Sequence, residues 1–239
     1  KSTGTAANNH PNYNVAVGNQ AGYNLTTGDY NVFLGSGAGR GTTTVQGNIA
    51  IGYLAMNVHT TGGNNIAIGT KAMDDTNAGS TSLTSRDNIF MGYDAGGGTW
   101  LDAASSYNIA IGHYAMDGAL NGAGNNVAIG YQVGSALTTA NHNVMIGSQA
   151  GENATTGGYS VIIGKDAGRY HYTANQNVLI GYSAGEYIGQ GNTGAQHSVV
   201  IGVTAGKYAT GSYNTFVGSA AGTGGTTSAP YSSGGNNTA

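Results

Sequence analysis

The sequence is short of charge. Charged residues make up 7% of its 239 positions, against about 25% in an ordinary globular domain. The net charge is −3, which makes the phosphate backbone of nucleic acids and anionic membranes poor partners. The hydrophobic content of 39% nevertheless separates the chain from disordered proteins, which lack such an apolar load.

Cysteine is absent, and only two prolines occur. Without cysteine the chain forms no disulfides and gives no sign of its redox compartment. Its longest apolar runs are four or five residues, whereas a helix that spans a membrane needs about 20. We therefore expect no membrane insertion.

The sequence is rich in glycine instead, with 44 residues arranged in a repeat. The pattern Asn–apolar–apolar–apolar–Gly–x–x–Ala–Gly recurs twelve times, as in NVAVGNQAG at 14–22 and NVLIGYSAG at 177–185. Six of the eleven spacings between its central glycines are 17 residues. A period this short favours one coil of a solenoid over two helices and a turn. We predict an all-β, parallel β-solenoid of about twelve 17-residue coils.

The repeat divides the chain into three parts. A lead-in at 1–13 precedes the solenoid repeat domain at 14–222, and a low-complexity segment follows at 223–239. That segment ends in GGNNTA, which matches GGNNIA at 62–67 almost letter for letter. We interpret this ending as the start of one further repeat.

Each coil is numbered from its central glycine, position 0. The Val and Ile residues before this glycine favour a strand, and the glycine itself marks a turn with a positive φ. The small Ala at position +3 suits a second, tight strand. The sequence thus predicts two or three short strands in each coil.

The three apolar residues before the glycine alternate in direction along the strand. We predict that positions −3 and −1 fill the interior together with the Ala column, and that position −2 points outward. Position −2 is apolar in all twelve coils, and such a continuous stripe marks an interface. A side-by-side homotrimer would bury it; a wider coil that folds another segment over the stripe is the alternative. The predicted interface residues are Ala16, Phe33, Ala50, Ala67, Phe90, Ala110, Ala128, Met145, Ile162, Leu179, Val200 and Phe216.

Two polar columns accompany the apolar ones. Asn occupies position −4 in ten coils, and Ser160 and Ser198 replace it in the others. Stacked coils would align these amides in a structural ladder, which we favour over a row of ligand-binding amides. Tyrosines recur at positions −5 and +1, where they could stack on sugar rings or pack across coils; we favour packing.

Little in the sequence predicts chemistry. The ten carboxylates form no acidic column, the six histidines are scattered, and neither Gly-Lys pair completes a phosphate loop. We expect no enzyme activity, no metal site and no cofactor.

The repeats resemble two families. NVAIG at 126–130 and NIAIG at 48–52 and 108–112 are similar to the head repeats of trimeric autotransporter adhesins of the YadA type. The longer unit TTGGNNIAIG at 60–69 resembles repeats of phage tail-fibre proteins. The resemblance implies a left-handed parallel β-roll with three chains around one axis, although the 17-residue period is longer than that of the adhesin head.

These observations predict a segment of an extracellular trimeric fibre, on a virion or a cell surface. It would space or present a receptor-binding element, with itself as one partner and a host-surface glycan or protein receptor as another. A self-assembling structural filament without a specific receptor is the alternative.

Three coils carry longer loops, at 74–87, 97–107 and 186–197. Loops on a rigid scaffold are where recognition usually lies, and the first two loops belong to successive coils. The alternative is that this side of the solenoid tolerates insertions and that Trp100 folds back over its own loop. The candidate ligand-binding residues are Leu83, Arg86, Trp100, Leu101 and Asp102.

Overall fold

The computed structural model describes residues 13–59, 61–76, 84–188, 195–209, 211–224 and 238–239. It confirms an all-β, parallel β-solenoid. The described residues contain one three-residue strand per coil, where the sequence predicted two or three. The residues after the glycine turn instead of forming a second strand, because positions +2 and +4 adopt left-handed φ values, as at Gln20 and Gly22.

The chain forms two compact units, residues 1–123 and 124–239. Consecutive strands within a unit pair in parallel and in register, so equivalent positions of successive coils stack in columns. The strands of the first unit are β1 (Val15–Val17), β2 (Val32–Leu34), β3 (Ile49–Ile51), β4 (Ile66–Ile68), β5 (Ile89–Met91) and β6 (Ile109–Ile111). Those of the second are β7 (Val127–Ile129), β8 (Val144–Ile146), β9 (Val161–Ile163), β10 (Val178–Ile180), β11 (Val199–Ile201) and β12 (Thr215–Val217).

The structure reverses the predicted inside and outside of the strands. From β2 to β12, position −2 is buried within the single chain, and positions −3 and −1 face outward. The predicted interface column is therefore wrong, since its side chains fill the interior; only Ala16, in β1, is exposed. The buried members are Phe33, Ala50, Ala67, Phe90, Ala110, Ala128, Met145, Ile162, Leu179, Val200 and Phe216.

The reversal follows from the Asn column. Side chains alternate along a strand, so positions −4 and −2 share one face. The ladder Asn side chains are buried, and each ties its coil to the next: the Asn48 N–H donates to Asn31 Oδ1 at 2.9 Å, and Asn48 Nδ2 donates to the Gly62 carbonyl at 2.9 Å. Ser160 continues the ladder by accepting the Asn177 N–H on its hydroxyl. The structural interpretation of this column is confirmed.

Two interior columns compensate each other in size. Where position −2 is Ala in β3, β4 and β6, position +4 of the same coil is a buried Met: Met56, Met73 and Met116. Where position −2 is larger, position +4 is Gly. The reason is steric, since a Cβ on Gly39 would lie 2.5 Å from Phe33 Cδ1. Most coils therefore keep a similar interior volume; the exceptions are Ala16 with Gly22 and Ala128 with Gly134, and in the latter coil Val133 replaces the Ala of position +3.

The central glycines are required by both conformation and space. Their φ values lie between +130° and +143°, a region that only glycine occupies readily. Successive glycines also stack closely: a Cβ on Gly164 would lie 2.4 Å from the Gly181 carbonyl oxygen.

The flanking segments are described only in part. Residues 1–12 of the lead-in and most of 223–239 lie outside the described residues. Thr238 forms a parallel bridge with Thr215, and the Ala239 N–H donates to the Thr215 carbonyl at 2.9 Å.

Candidate functional site

The outer face of the strands in each unit is an apolar surface, made of positions −3 and −1. Both columns consist of Val, Ile, Leu and Met, with Thr215 as the exception. Ile129 is 37% exposed in β7, and Val217 is 58% exposed in β12. Continuous apolar columns on a surface mark an interaction site. The structure thus keeps an outward apolar stripe, on columns other than the predicted one.

Aromatic residues border this outer face at position −5. All described residues of that column have φ values between +56° and +68°, which turn the chain into the strand. Tyr13 stacks on Tyr30 with ring centroids 5.1 Å apart, and His197 stacks on Tyr213 at 4.9 Å. Because stacked rings cover each other's faces, these pairs fit cross-coil packing better than sugar stacking.

Tyrosines of position +1 form the other border. Tyr53, Tyr93, Tyr131 and Tyr182 are 40–54% exposed. Across positions −5, −3, −1 and +1 the sequence places only two charged residues, Asp87 and Lys165. Aromatic enrichment with charge depletion is the composition of an interface core.

Apart from Lys165 at position +1, the charges of the second unit lie away from this face and pair with each other. Its +5 column alternates in sign through Glu152, Arg169, Glu186 and Lys207. Arg169 Nε lies 2.5 Å from Glu152 Oε2, and Lys207 Nζ lies 3.0 Å from Glu186 Oε2. Each cation therefore meets a carboxylate of the preceding coil, which favours the in-register stacking of these coils.

The residues predicted to bind a ligand differ in their exposure. Trp100 does not project: it is fully buried, its Nε1 donates to the Gly96 carbonyl at 2.9 Å, and its ring meets Phe90 edge-on. The role predicted for Trp100 is therefore wrong, and its folding back matches the alternative. Leu101 and Asp102 are exposed. Leu83 lies outside the described residues, as do 77–83 and 189–194 of the loops.

Arg86, the remaining predicted residue, lines a polar groove of about 350 Å³. We call this the Gly63 groove. It lies at position −6, two residues before the ladder Asn, where Gly63 leaves the column without a side chain. Its lining includes Thr44, Gln46, Thr61, Gly63, Asn64, Thr84 and Arg86.

Asp94 acts on two carboxylates of neighbouring coils in the first unit. Burial, with a smaller contribution from Asp94, raises the pKa of Asp117 to about 6. Burial also raises the pKa of Asp74, with Asp94 again contributing. Even so, among the described residues no three His, Asp or Glu side chains are grouped so as to hold a metal ion.

The described residues also include no helix that is long and apolar enough to cross a membrane.

Two histidines are buried at the same corner, position +7, one in each unit. His59 Nδ1 lies 2.9 Å from Thr76 Oγ1, and Nε2 lies 2.9 Å from the Gly62 carbonyl. His171 Nε2 lies 3.0 Å from Asn177 Nδ2 of the ladder. Burial lowers the pKa of both imidazoles to about 4, so both are neutral at pH 7.

We expect acid to weaken both units through these histidines. Below pH 6.5 these histidines become protonated in the unfolded chain, whereas in the folded chain they stay neutral down to about pH 4. The free energy of unfolding therefore falls between pH 6.5 and pH 4, by about 3 kcal/mol for each histidine. Urea unfolding between pH 7 and pH 4 measures the loss. His59→Thr should reduce the slope, whereas His113→Thr, at an exposed position, should leave it unchanged. Equal slopes in all three proteins would contradict the prediction.

No protein-family model, curated protein or solved structure matches this chain.

The Gly63 groove was not predicted from the sequence, because the columns considered there did not include position −6. Gln46, Gly63 and Arg86 occupy one outward column in three successive coils. A glycine between two long polar side chains in such a column is the signal that reveals a depression.

Proposed function

We propose that this chain is a rigid segment of a homotrimeric extracellular fibre, assembled through the outer face of its sheets. The observation that carries the proposal is the pair of outward Val and Ile columns, which a single chain leaves partly in water. Their aromatic borders and low charge support the same conclusion. The resemblance of the repeats to adhesin heads and tail fibres favours three copies, on a virion or a cell surface. There the segment spaces or presents a receptor-binding element.

The size of the face is sufficient for association. At about 4.8 Å per strand and about 3.3 Å per residue, six strands and the positions from −5 to +1 cover roughly 500 Å² in each unit. Two such units supply about 1,000 Å² per chain, which a trimer divides between two neighbours, so each pair of chains would bury about 1,000 Å² in total, close to the lower limit of a specific interface. The rigid, β-branched side chains lose little entropy when they pack.

The test is the mass of the chain in solution. Light scattering should give three times the chain mass of 23.8 kDa. Ile129→Asp should release monomers that keep their β-sheet circular dichroism, because Ile129 lies on the outer face and the introduced charge would be buried only in the assembly. The double variant with Ile111→Asp and Ile129→Asp, which has one substitution in each unit, should be fully monomeric.

Leu101→Asp is the matched control, since Leu101 is 42% exposed but lies in a loop away from the outer face. This variant should remain trimeric. A monomeric parent protein, or an Ile129→Asp variant that stays trimeric, would overturn the proposal. A stable dimer would leave the face as the interface but contradict the three-fold assembly.

A further inference from the structure

The Gly63 groove lies between two long side chains of one column. Gln46 precedes Gly63 by one coil and Arg86 follows it by one, so the two side chains are about 10 Å apart along the stack. Thr44, Thr61 and Thr84 occupy the column two residues earlier in the same coils and form one wall. The volume of about 350 Å³ is at the lower end of ligand sites.

The main chain of this column follows a hydrogen-bonding rule elsewhere. Where the next coil carries Asn or Ser in this column, the N–H of the residue donates to that side chain. The Arg86 N–H donates to Ser106 Oγ at 3.1 Å, the Gly158 N–H to Asn175 Oδ1 at 2.7 Å, and the Gln196 N–H to Ser212 Oγ at 3.0 Å.

At the groove this column offers no Asn or Ser side chain as an acceptor. The next residue after Gln46 in this column is Gly63, which has no side chain, and the next after Gly63 is Arg86, whose guanidinium only donates. Among the described residues, neither the Gln46 N–H nor the Gly63 N–H donates a hydrogen bond. The floor of the groove therefore presents two main-chain donors beside a cation.

This set of donors selects the class of ligand. Two N–H groups and a guanidinium together match a carboxylate, which accepts several hydrogen bonds and prefers Arg as its partner. The threonine hydroxyls and the side-chain amides of Gln46 and Asn64 both donate and accept, which suits the hydroxyls of a sugar. The described lining holds no aromatic ring, so recognition would depend on hydrogen bonds and charge.

We propose that the Gly63 groove binds a carboxylate-bearing sugar of an acidic oligosaccharide, with the carboxylate on Arg86 and on the Gln46 and Gly63 amides. This names a ligand class for the receptor-presenting role proposed above, and it is a property of the first unit alone. One carboxylate adjoins the site: Asp87 accepts from Asn64 Nδ2 at 3.1 Å and lies 3.7 Å from Arg86 Nε. A ligand carboxylate has to share Arg86 with it.

Two substitutions follow from these contacts. Arg86→Asn copies the second unit, where Asn175 covers the Gly158 N–H, so it should close the groove without harming the fold. Asp87→Asn removes the competing carboxylate. Asn is tolerated there because Asn64 and Asn125 occupy the same left-handed column.

The experiment titrates the intact chain with tetragalacturonate, 3′-sialyllactose and lactose by calorimetry at low salt. We expect at least one acidic sugar to bind and lactose not to bind; the two acidic probes distinguish a uronate from a sialate. Arg86→Asn should weaken binding at least tenfold, and Asp87→Asn should strengthen it several-fold. Arg40→Asn, which removes an arginine outside the groove, should change nothing.

Unchanged binding in Arg86→Asn, equal binding of lactose, or no binding of either acidic sugar would overturn the inference. Light scattering on the same samples reports the oligomeric state separately. A trimer that binds no sugar contradicts the groove alone, and a monomer that binds sugar contradicts the assembly alone.

Discussion

Gly164→Ala is expected to destabilise the second unit by about 4 kcal/mol or more, since a strained backbone adds to a steric clash. Gly164 has a φ of +130°, and its added Cβ would meet the Gly181 carbonyl oxygen at 2.4 Å and its carbonyl carbon at 2.7 Å. The coils cannot separate locally, because the hydrogen bonds of the adjoining strands and the Asn ladder hold them together. Urea unfolding followed by circular dichroism measures the loss.

Gly218→Ala separates the two causes. Gly218 has the same backbone conformation, with a φ of +133°, but its added Cβ would meet only Ala221 Cβ at 3.9 Å. Its cost should be the conformational strain alone, about 2 kcal/mol. If both alanine variants lose the same stability, the stacking of glycine on glycine contributes nothing and the steric argument is wrong.

The second large effect concerns the paired interior columns. Phe33→Ala should cost about 3–5 kcal/mol because it opens a cavity. Gly39→Met should cost about 3 kcal/mol or more, since its side chain would collide with the Phe33 ring and its backbone is left-handed. Together the two changes should cost less than their sum by at least about 2 kcal/mol, because the double variant has the Ala50 and Met56 arrangement of the next coil. A double-mutant cycle in urea measures this coupling.

The control for that cycle is a left-handed glycine without an aromatic neighbour. Gly122 has a φ of +82°, and its added Cβ would meet only Ala103 Cβ. Gly122→Met combined with Phe33→Ala should give additive losses. Additive losses for the Phe33 and Gly39 pair as well would show that the two columns do not share one space.

The repeat alone was enough to predict the fold class, because twelve in-phase copies with a strand-forming triplet and an invariant glycine leave few architectures. It was also enough to predict the Asn ladder. The strand count failed because positions +2 and +4 turn the chain even where Leu54 or Met73 stands there. Such residues rarely adopt positive φ, so their sequence gives no warning.

The error on inside and outside was avoidable. Positions −4 and −2 share a face, so a buried Asn ladder already implies a buried position −2. The side-chain volumes at positions −2 and +4 also indicate that position −2 is buried. A large residue at one position goes with a small residue at the other, which is expected only where both side chains pack in the same interior. In contrast, the hydrogen-bond donors of the Gly63 groove could not be predicted from the sequence. They depend on which main-chain N–H lies opposite which side chain of the next coil, and this is known only when the stacking register is known.

The burial of Trp100 makes the two units optically distinct. It is the only tryptophan in the chain and lies fully enclosed against Phe90 in the first unit. Its fluorescence should shift to the red when that unit opens. The second unit carries the stacked rings of Tyr170, Tyr187 and Tyr208, whose near-ultraviolet circular dichroism disappears when the stack is lost. Tryptophan fluorescence therefore reports the first unit alone, whereas tyrosine circular dichroism reports both units, because Tyr13 and Tyr30 of the first unit are stacked as well. A difference between the two melting curves would show that the units melt in succession.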